Sequence, residues 1–505
     1  MSQPRERIVI LGGGPGGYEA ALVAAQHGAQ VTVVDSDGLG GACVLTDCVP
    51  SKTLIASSTT MSVVHGAEDL GIRIGVPPVG GAPGGAVSGR ASAARGSAAG
   101  APAPVPGARM PGVPGGRPGR GRAYVDAPRL YARIKALAQA QSADVALRLA
   151  AEGVEIISDR GALDGPDTAI AGGRRIQAGA VLIATGAMPR VLPGAEPDGE
   201  RILNWRQLYD LPDLPRELIV VGSGVTGAEF ASAYQALGSQ VTLVSSRERV
   251  LPHEDADAAV VLEDVFRRRG MTVLSRSRAA AVKRSRDGVL VTLEGGRTVR
   301  GSHCLLTVGM VPATRGLGLE EAGITLDGQG FVEVDRVSRT TARGVYAAGD
   351  CTGVMMLASV AAMQGRIAMW HTLGEAVQPI RLDRVAATIF TDPEIATVGV
   401  TAVAVESGAA DAVAVKLPLA TNARAKMQGF RDGFVKLFAR RGTGIVLGGV
   451  VVAPRASELI LGVSLAVEQS LTVDQMAHTF AVYPSLSGSL TEAARRLMRP
   501  AGDGR

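Results

Sequence analysis

The chain of 505 residues lacks the features of several specialised protein classes. Its four cysteines are too few for the disulfide framework of a small secreted scaffold. Aromatic residues make up 3% of the sequence, so platforms that stack the bases of single-stranded nucleic acid are scarce. No apolar run approaches the roughly 20 residues of a membrane-spanning helix, and no signal-peptide segment follows the polar start. These absences predict a soluble, cytoplasmic protein with no nucleic-acid partner and no transmembrane segment.

The net charge of +5 has a local origin. Residues 76–123 contain six arginines, no lysine and no acidic residue, so the rest of the chain is close to neutral. Glycine and proline make up 22 of these 48 residues, and no apolar period runs through them. Such a segment cannot bury enough surface to offset the entropy lost on ordering. We interpret residues 76–123 as a disordered surface insertion, with contact to a polyanion or a membrane surface as the minor alternative.

The first motif is a dinucleotide-binding pattern near the start of the chain. The apolar run Ile8–Leu11 predicts a buried strand, and a G-x-G-x-x-G turn, a helical pattern and a second strand ending at Asp35 follow it. Gly12 allows the tight turn, Gly14 lets the backbone approach a pyrophosphate, and Gly17 lets helix and strand pack closely. Asp35 is placed to accept a hydrogen bond from a ribose hydroxyl. The pattern therefore predicts a bound dinucleotide.

The same pattern recurs in the middle of the chain, between predicted strands at Leu218–Val221 and Val241–Val244. Its glycines are Gly222, Gly224 and Gly227. No acidic residue ends the second strand of this unit, and the turn carries Arg247 and Arg249 instead. Without a carboxylate, a 2′-phosphate is not repelled and an arginine can pair with it, which favours NADP, or use of both nucleotides, over NAD alone.

Three further strand ends carry small or acidic residues. Predicted buried strands end at Thr185–Gly186 and at Gly309, where a cofactor or a neighbouring backbone can come close. Asp350 directly follows another predicted strand and a glycine. An acid in that position is suited to hold a polyol such as a ribityl chain.

The segment Gly40–Lys52, with its two cysteines, resembles the redox-active segment of the flavoprotein disulfide reductases, the family of dihydrolipoamide dehydrogenase, glutathione reductase and mercuric reductase. The resemblance covers nearly the whole chain outside residues 76–123. It implies an α/β fold with two Rossmann-like dinucleotide-binding domains, for FAD and NAD(P), and a C-terminal α+β dimerisation domain that makes a homodimer. The implied divisions are 1–195 and 316–378 for the FAD-binding domain, 196–315 for the NAD(P)-binding domain, and 379–505 for the dimerisation domain.

The resemblance also implies roles for single residues. Lys52 lies near flavin N5 and pairs with Glu229, where a cation stabilises negative charge on the reduced flavin. Cys48 faces the flavin ring and Cys43 faces the substrate. The residues expected to bind the cofactors are Gly12, Gly14, Gly17, Asp35, Lys52, Thr185, Gly186, Gly222, Gly224, Gly227, Arg247, Arg249, Gly309, Asp350 and Ala358. No spacing of cysteine and histidine is that of a zinc site, so Cys304 and Cys351 are expected to be buried small residues.

The spacing of the two cysteines sets a condition on their chemistry. Five residues of regular helix rise about 7.5 Å, whereas a disulfide needs Cα atoms within about 7 Å. Cys43 and Cys48 can therefore form a disulfide only if the turn between them is distorted, and Pro50 and the preceding glycines favour such a distortion. The alternative is that both cysteines are simply small buried residues.

The family pattern breaks at the C-terminus and beside the second cysteine. Tyr483 stands where thiol-reducing members carry a proton-shuttling histidine, and Gly488 replaces the partner glutamate of that histidine. A phenol with a pKa near 10 cannot act as the same base at neutral pH. Asp47 precedes Cys48 where the family usually has glycine, and its carboxylate is expected to raise the pKa of that thiol.

These departures favour an acceptor that needs no thiol shuttle. The resemblance is to a branch of NAD(P)H:quinone oxidoreductases, in which hydride passes from NADPH or NADH to FAD and then two electrons reduce a quinone. Tyr483, contributed by the partner subunit, would donate a hydrogen bond to the quinone oxygen. The alternatives are a soluble pyridine-nucleotide transhydrogenase, a dihydrolipoamide dehydrogenase-like thiol-disulfide reductase, or a flavin-bound redox sensor without turnover.

Apolar spacing from Leu130 to Gly153 predicts a pair of helices.

Overall fold

The computed structural model describes residues 6–72 and 123–498. The predicted disordered insertion at 76–123 lies outside the described residues, apart from Ala123.

The described residues form 23 strands and 12 α-helices. In chain order the strands are β1 Arg7–Leu11, β2 Gln30–Val34, β3 Glu155–Ile157, β4 Ala162–Leu163, β5 Thr168–Ala171, β6 Arg174–Gln177, β7 Ala180–Ile183, β8 Ala187–Pro189, β9 Ile202–Asn204, β10 Glu217–Val221, β11 Gln240–Val244 and β12 Thr272–Leu274. They continue with β13 Ala279–Ser285, β14 Gly288–Leu293, β15 Thr298–Gly301, β16 His303–Leu306, β17 Met310–Pro312, β18 Val345–Ala347, β19 Ala387–Ile389, β20 Glu394–Gly399, β21 Ala412–Pro418, β22 Phe434–Arg440 and β23 Val446–Ala453. The helices are α1 Pro15–Gln26, α2 Gly41–Leu45, α3 Cys48–His65, α4 Ala127–Ala151, α5 Val225–Leu237, α6 Ala256–Arg268, α7 Ala358–Thr372, α8 Ala402–Glu406, α9 Ala423–Met427, α10 Ala456–Glu468, α11 Val473–Ala477 and α12 Gly488–Leu497.

The first sheet is parallel and has the strand order β18-β7-β1-β2-β3. Its central strand β1 is apolar at every position after Arg7 because neighbours flank it on both sides and both of its faces are covered. Helices α1 and α7 pack so closely that a side chain on Gly365 would overlap the carbonyl oxygen of Gly16. This unit is built from both halves of the chain, because β18 and α7 return to it from beyond residue 340.

The second sheet repeats this design with the parallel order β12-β11-β10-β16-β9. Leu218 on β10 lies between Val241 and His303, as Ile8 on β1 lies between Val31 and Ala180. Both glycine turns follow the central strand of their sheet, at its carboxyl end. Parallel α/β sheets bind their ligands at this edge.

The C-terminal sheet is antiparallel, with the order β19-β20-β23-β22-β21. Helix α10 covers it with one apolar face, and the buried residues of that helix are Ala456, Ile460, Val463, Ala466 and Val467. An antiparallel sheet covered by helices is the α+β arrangement expected for this region. The α/β class with two dinucleotide-binding units and a C-terminal α+β unit is confirmed.

The predicted pair of helices between Leu130 and Gly153 is wrong, because one 25-residue helix, α4, spans the region. Asp126 begins this helix by accepting a hydrogen bond from the backbone N–H of Arg129, at 3.1 Å. No glycine or proline interrupts the sequence after Pro128 until Gly153. The buried positions Leu130, Ile134, Ala138, Val145 and Leu149 lie on one continuous helical face.

Candidate active site

The first glycine turn leaves room for a ligand at one position only. Gly12 has φ +106°, and a side chain there would overlap the carbonyl oxygen of Ala184. A side chain on Gly17 would overlap the carbonyl oxygen of Gly12, so both glycines are required by packing. At Gly14 a Cβ atom would meet nothing within 4 Å among the described residues. The open space at the start of α1 fits a pyrophosphate, whose charge the free N–H groups of the helix favour.

The second glycine turn has the same geometry. Gly222 has φ +112°, and a side chain there would overlap the backbone of Thr307, while one on Gly227 would overlap the carbonyl oxygen of Gly222. At Gly224 a Cβ atom would again meet nothing within 4 Å among the described residues. Both turns therefore offer the same kind of cradle, and the residues present fit two dinucleotides.

Asp35 ends β2 and organises the loop that follows it. Its carboxylate accepts hydrogen bonds from the backbone N–H groups of Gly13 at 2.6 Å and of Asp37 and Gly38 at 2.8 Å each. A cavity of about 390 Å³ opens beside it, between this loop, Ser142 on α4 and Ile156 on β3. The position suits an adenosine ribose, since a carboxylate has lone pairs left for hydroxyl donors.

The corresponding position of the second unit is uncharged. Ser245 follows β11 directly, and its hydroxyl lies 2.7 Å from that of Ser223. Arg247 and Arg249 are exposed, and the residues that the structure describes give neither arginine an ion pair. Glu248 between them pairs with Arg276. Two unneutralised guanidinium groups therefore stand where an NAD-specific unit would carry its acid.

Lys52 and Glu229 form an ion pair of 2.9 Å between α3 and α5. The glutamate is 5% exposed, and its second oxygen accepts a hydrogen bond of 2.9 Å from the backbone N–H of Phe390. The ammonium group of Lys52 lies 4.9 Å from the centre of the Phe390 ring. Burial alone would lower the pKa of Lys52, but Glu229, Cys48 and Asp47 together outweigh it and the net direction is upward. The lysine is therefore held as a cation.

The two cysteines lie at an interruption between two helices. Helix α2 ends at Leu45 and α3 begins at Cys48, so the turn departs from regular helix, as the spacing required. Both cysteines are free thiols, and each affects the pKa of the other. The hydrogen bond from Cys48 lowers the pKa of the Cys43 thiol. The same bond raises the pKa of the Cys48 thiol, and burial and Asp47 act in the same direction.

The carboxyl group of Asp47 acts on both thiols. The rise expected for the pKa of Cys48 is found, whereas the pKa of Cys43 moves downward although Asp47 opposes this. Burial also raises the pKa of Asp47 itself, and Lys52 only partly offsets the rise. Both cysteines are partly exposed, whereas Cys304 and Cys351 are fully buried, as expected from the sequence.

Asp350 follows β18 and begins a short 3₁₀ turn. Burial raises the pKa of its carboxyl group to about 6, and the charge of Asp47 adds to the rise. The described residues provide no hydrogen bond to this carboxyl group. The Thr185 hydroxyl is buried without a partner among the described residues. Unpartnered polar groups of this kind fit a hydroxyl-rich ligand chain.

The remaining candidate positions are dispersed in the chain. Gly186 and Gly309 have φ values of +70° and +99°, which glycine adopts without strain. Ala358 is the first residue of α7. Tyr483 is 85% exposed and lies between α11 and α12, so this chain does not bring it together with Cys43.

Sequence reasoning missed three residues that interact with Glu229 or with Asp47, the neighbour of Cys48. Phe390 follows β19, and its backbone N–H donates a hydrogen bond to Glu229. Arg206 and Tyr209 lie in the segment between β9 and β10. Arg206 Nε and the Tyr209 hydroxyl are buried without partners among the described residues. No motif or apolar period in the sequence marks these positions, because they are isolated residues on separate segments.

Comparison with known proteins decides the family. The model described as pyridine nucleotide-disulphide oxidoreductase matches residues 6–365, and that of the family's dimerisation domain matches residues 385–494. The chain belongs to this family. Its members are flavoproteins that use FAD and NAD(P)H, and the chain is a flavoprotein oxidoreductase of this kind. The predicted resemblance and the predicted cofactors are thereby confirmed.

Two curated relatives show the spread of the family. The chain is 54% identical over 506 residues to an NAD(P)H dehydrogenase (quinone) of Mycobacterium tuberculosis, covering 97% of this chain and 94% of the relative. It is 30% identical over 499 residues to a dihydrolipoyl dehydrogenase of Chlorobaculum tepidum, covering 96% of each.

Solved structures of related proteins also match the chain over nearly its whole length. The crystal structure of LpdA from Mycobacterium tuberculosis matches with a TM-score of 0.85 and 53% identity, over 98% of this chain and 100% of that chain. The HOCl-induced flavoprotein disulfide reductase RclA from Escherichia coli matches with a TM-score of 0.79 at 23% identity, over 97% of this chain and 99% of that chain, and shares the fold. In the part of the chain that the structure describes, no helix combines the length and the apolar character needed to cross a membrane.

Proposed function

We propose that this flavoprotein is an NAD(P)H dehydrogenase (quinone), which passes hydride from NADPH or NADH to FAD and then reduces a quinone by two electrons. The relative at 54% identity that carries this name supports the proposal. The observation that carries it is the Lys52–Glu229 ion pair, intact at 2.9 Å, in a chain whose expected histidine position holds Tyr483. The ion pair expected to support hydride transfer is present, whereas the histidine expected to act as the base in thiol reduction is replaced by Tyr483.

FAD would supply an acceptor for the nicotinamide hydride and a donor of two electrons to the quinone. Gly14 and Asp35 would hold its pyrophosphate and ribose, and Asp350 its ribityl chain. Lys52 would stabilise negative charge near the flavin ring, because Glu229 and the Phe390 ring keep it charged and fixed in place. These roles follow the family pattern and the geometry of each residue.

Gly222, Gly224 and Gly227 would hold the nicotinamide nucleotide on the second unit. Arg247 and Arg249 would bind the 2′-phosphate of NADPH. No acidic residue repels the phosphate there, and neither guanidinium has an ion pair among the described residues. We expect NADPH to be used at least as well as NADH.

The quinone would be bound between two subunits of a homodimer. The match of residues 385–494 to the dimerisation domain supports the homodimer. Tyr483 is exposed in one chain, with Phe480 and Val482 beside it, which suits a contact with a second copy. From there the phenol would donate a hydrogen bond to the quinone oxygen. The cytoplasmic location stays a prediction from the sequence.

A thiol-disulfide reductase is the second candidate, because the hydrogen bond from Cys48 lowers the pKa of Cys43. The thiolate is the reactive form in disulfide exchange, and a lower pKa increases the fraction of Cys43 in that form. Against this candidate, no histidine stands at residues 481–488 to move the proton. A transhydrogenase, the remaining alternative of the sequence, would use the same two nucleotide units and no third substrate.

An acceptor panel tests the proposal. Purified holoenzyme is given NADPH or NADH together with benzoquinone, menadione, oxidised lipoamide, glutathione disulfide or a nicotinamide nucleotide analogue. We expect oxidation of NADPH with both quinones and at least a hundredfold lower kcat/KM with both disulfides. Faster turnover with lipoamide than with either quinone would contradict the proposal, and rapid transfer only to the nucleotide analogue would support a transhydrogenase.

A further inference from the structure

The second nucleotide unit carries an acidic residue in the turn expected to meet the 2′-phosphate. Glu248 lies between Arg247 and Arg249, and all three side chains are exposed. The turn follows the end of β11, where a nucleotide ribose lies in proteins of this fold. A carboxylate without a cation would repel a 2′-phosphate, which NADPH carries and NADH lacks. The nucleotide preference of this turn therefore depends on what neutralises Glu248.

The partner of Glu248 comes from the turn after the neighbouring strand. Strand β12 pairs with β11 in parallel, and Arg276 lies two residues beyond the end of β12. The Arg276 guanidinium forms an ion pair with the Glu248 carboxylate, and the two side chains are 74% and 71% exposed. An ion pair this exposed contributes little to stability, so a role in folding does not explain it.

Backbone hydrogen bonds hold the two turns together. The N–H of Arg276 donates to the carbonyl oxygen of Arg247 at 2.8 Å. The N–H of Ser277 donates to the carbonyl oxygen of Ser245 at 2.7 Å, and the N–H of Ser245 donates to that of Leu274 at 2.8 Å. These three bonds fix the backbone of Arg276 beside the arginine turn.

Arg276 adopts an uncommon backbone conformation. Its φ is +50°, in the left-handed region that arginine seldom occupies. Such conformations persist where the surrounding structure imposes them, and they cluster at functional sites. Glycine would adopt the same conformation without strain. The arginine at this position is therefore explained by its side chain and not by its backbone.

The Arg276 guanidinium also doubles the positive excess at the turn. Arg247, Glu248 and Arg249 together carry one net positive charge, and Arg276 raises the excess to two. A 2′-phosphate, like other phosphate monoesters, carries about two negative charges near neutral pH. Neither Arg247 nor Arg249 has an ion pair among the described residues, so both stay available while Arg276 holds Glu248.

We propose that Glu248 and Arg276 determine the preference of this unit between NADPH and NADH. Arg276 neutralises Glu248 and so leaves Arg247 and Arg249 free to bind the 2′-phosphate. The inference rests on the proposed function, within which it assigns the nucleotide preference to two further residues. Glu248 disfavours NADPH, and Arg276 cancels that effect.

Anaerobic flavin reduction of the holoenzyme tests this assignment without any quinone. The readout is the limiting rate divided by Kd, measured by stopped flow and expressed as the ratio of NADPH to NADH, so a general loss of hydride transfer cancels. We expect Arg276→Gln to lower this ratio about fivefold, about 1 kcal/mol, as for one unit charge about 4 Å away in water. Glu248→Gln should raise the ratio by a similar factor, which a misfolded variant would not do.

Charge compensation gives the decisive control. The double variant of Arg276→Gln with Glu248→Gln should return to the wild-type ratio, and Arg276→Lys should keep most of it, because the charge is retained. Arg278→Gln is the matched control, since Arg278 is also exposed and lies 3.7 Å from Glu294, and it should leave the ratio unchanged. Both single-variant effects should shrink when salt is raised to about 1 M, where the Debye length is about 3 Å.

The results that overturn the inference differ from those that overturn the proposed function. An unchanged ratio in both single variants would overturn the inference and leave quinone reduction standing. A double variant with a ratio as low as that of Arg276→Gln would show that Arg276 binds the phosphate directly, which also overturns the neutralising role. A wild type that reduced no quinone would remove the proposed function, whereas the ratio, measured without an acceptor, would still decide the inference.

Discussion

Asp350 offers a prediction whose size can be worked out from the structure. Burial raises the pKa of this carboxyl group from 3.8 to about 6, which corresponds to about 3 kcal/mol at 1.36 kcal/mol per pKa unit. Because the folded state binds the proton more tightly, the carboxyl group costs no stability below pH 3.8. The cost grows as the pH rises and is complete above about pH 6. The neutral isostere Asp350→Asn should therefore stabilise the protein at neutral pH.

The assay is urea unfolding of the FAD-free protein, in which no ligand hydroxyl can hydrogen-bond to the carboxylate. At pH 7.5 we expect Asp350→Asn to raise the free energy of unfolding by about 3 kcal/mol, and at pH 4.5 by about 1 kcal/mol. The exposed control Asp144→Asn should change it by less than about 0.5 kcal/mol at either pH. FAD should bind more weakly to Asp350→Asn, if the carboxylate holds the ribityl chain. A variant that is no more stable than wild type at pH 7.5, or a difference that does not shrink at pH 4.5, would refute the reasoning.

Two further sets of substitutions test the nucleotide turn and the ion pair. Gly224→Ala should keep its fold and its flavin content but weaken NADPH binding at least tenfold in a fluorescence titration, because the added Cβ meets only open space in the protein. Gly227→Ala is the control: its Cβ would overlap the carbonyl oxygen of Gly222, so this variant should instead reduce the yield of folded protein. If Gly224→Ala bound NADPH as tightly as wild type, the proposed nucleotide cradle would be contradicted. Lys52→Met leaves Glu229 buried without its cation and should lower the free energy of unfolding by about 2 kcal/mol. This is less than the cost of breaking a fully buried ion pair, because the Lys52 side chain is 31% exposed. The double variant with Glu229→Gln should recover part of that loss, and flavin reduction by NADPH in stopped flow should be at least tenfold slower in both.

The two nucleotide-binding units could be predicted from the sequence because their physics is local. A buried strand, a glycine turn and a helix follow one another within about 30 residues, and the structure has β1 with α1 and β10 with α5 in that order. The length of α4 could also have been predicted from local sequence, because no glycine or proline occurs after Pro128 until Gly153. The error there was to divide a continuous apolar face in two.

The surroundings of the thiols could not be predicted in this way. Lys52 and Glu229 are 177 residues apart in the chain, and only the family resemblance indicated that they pair. Arg206 interacts electrostatically with Asp47, as Asp47 does with Tyr209, although these residues are far apart in the chain, and no periodic pattern records such a relation. The downward shift of the Cys43 pKa depends on the hydrogen bond between the two thiols. The two thiols lie on separate helices, Cys43 on α2 and Cys48 at the start of α3.

The central claim is that electrons leave the flavin for a quinone without passing through the cysteines. The most direct measurement is anaerobic rapid mixing of the NADPH-reduced holoenzyme with benzoquinone, with flavin absorbance as the readout, for wild type and for the double variant Cys43→Ser with Cys48→Ser. We expect both proteins to be reoxidised at rates within about threefold of each other, and oxidised lipoamide to leave both reduced. A loss of a hundredfold in the double variant, about 2.7 kcal/mol of barrier, would place the dithiol on the electron path and contradict the claim.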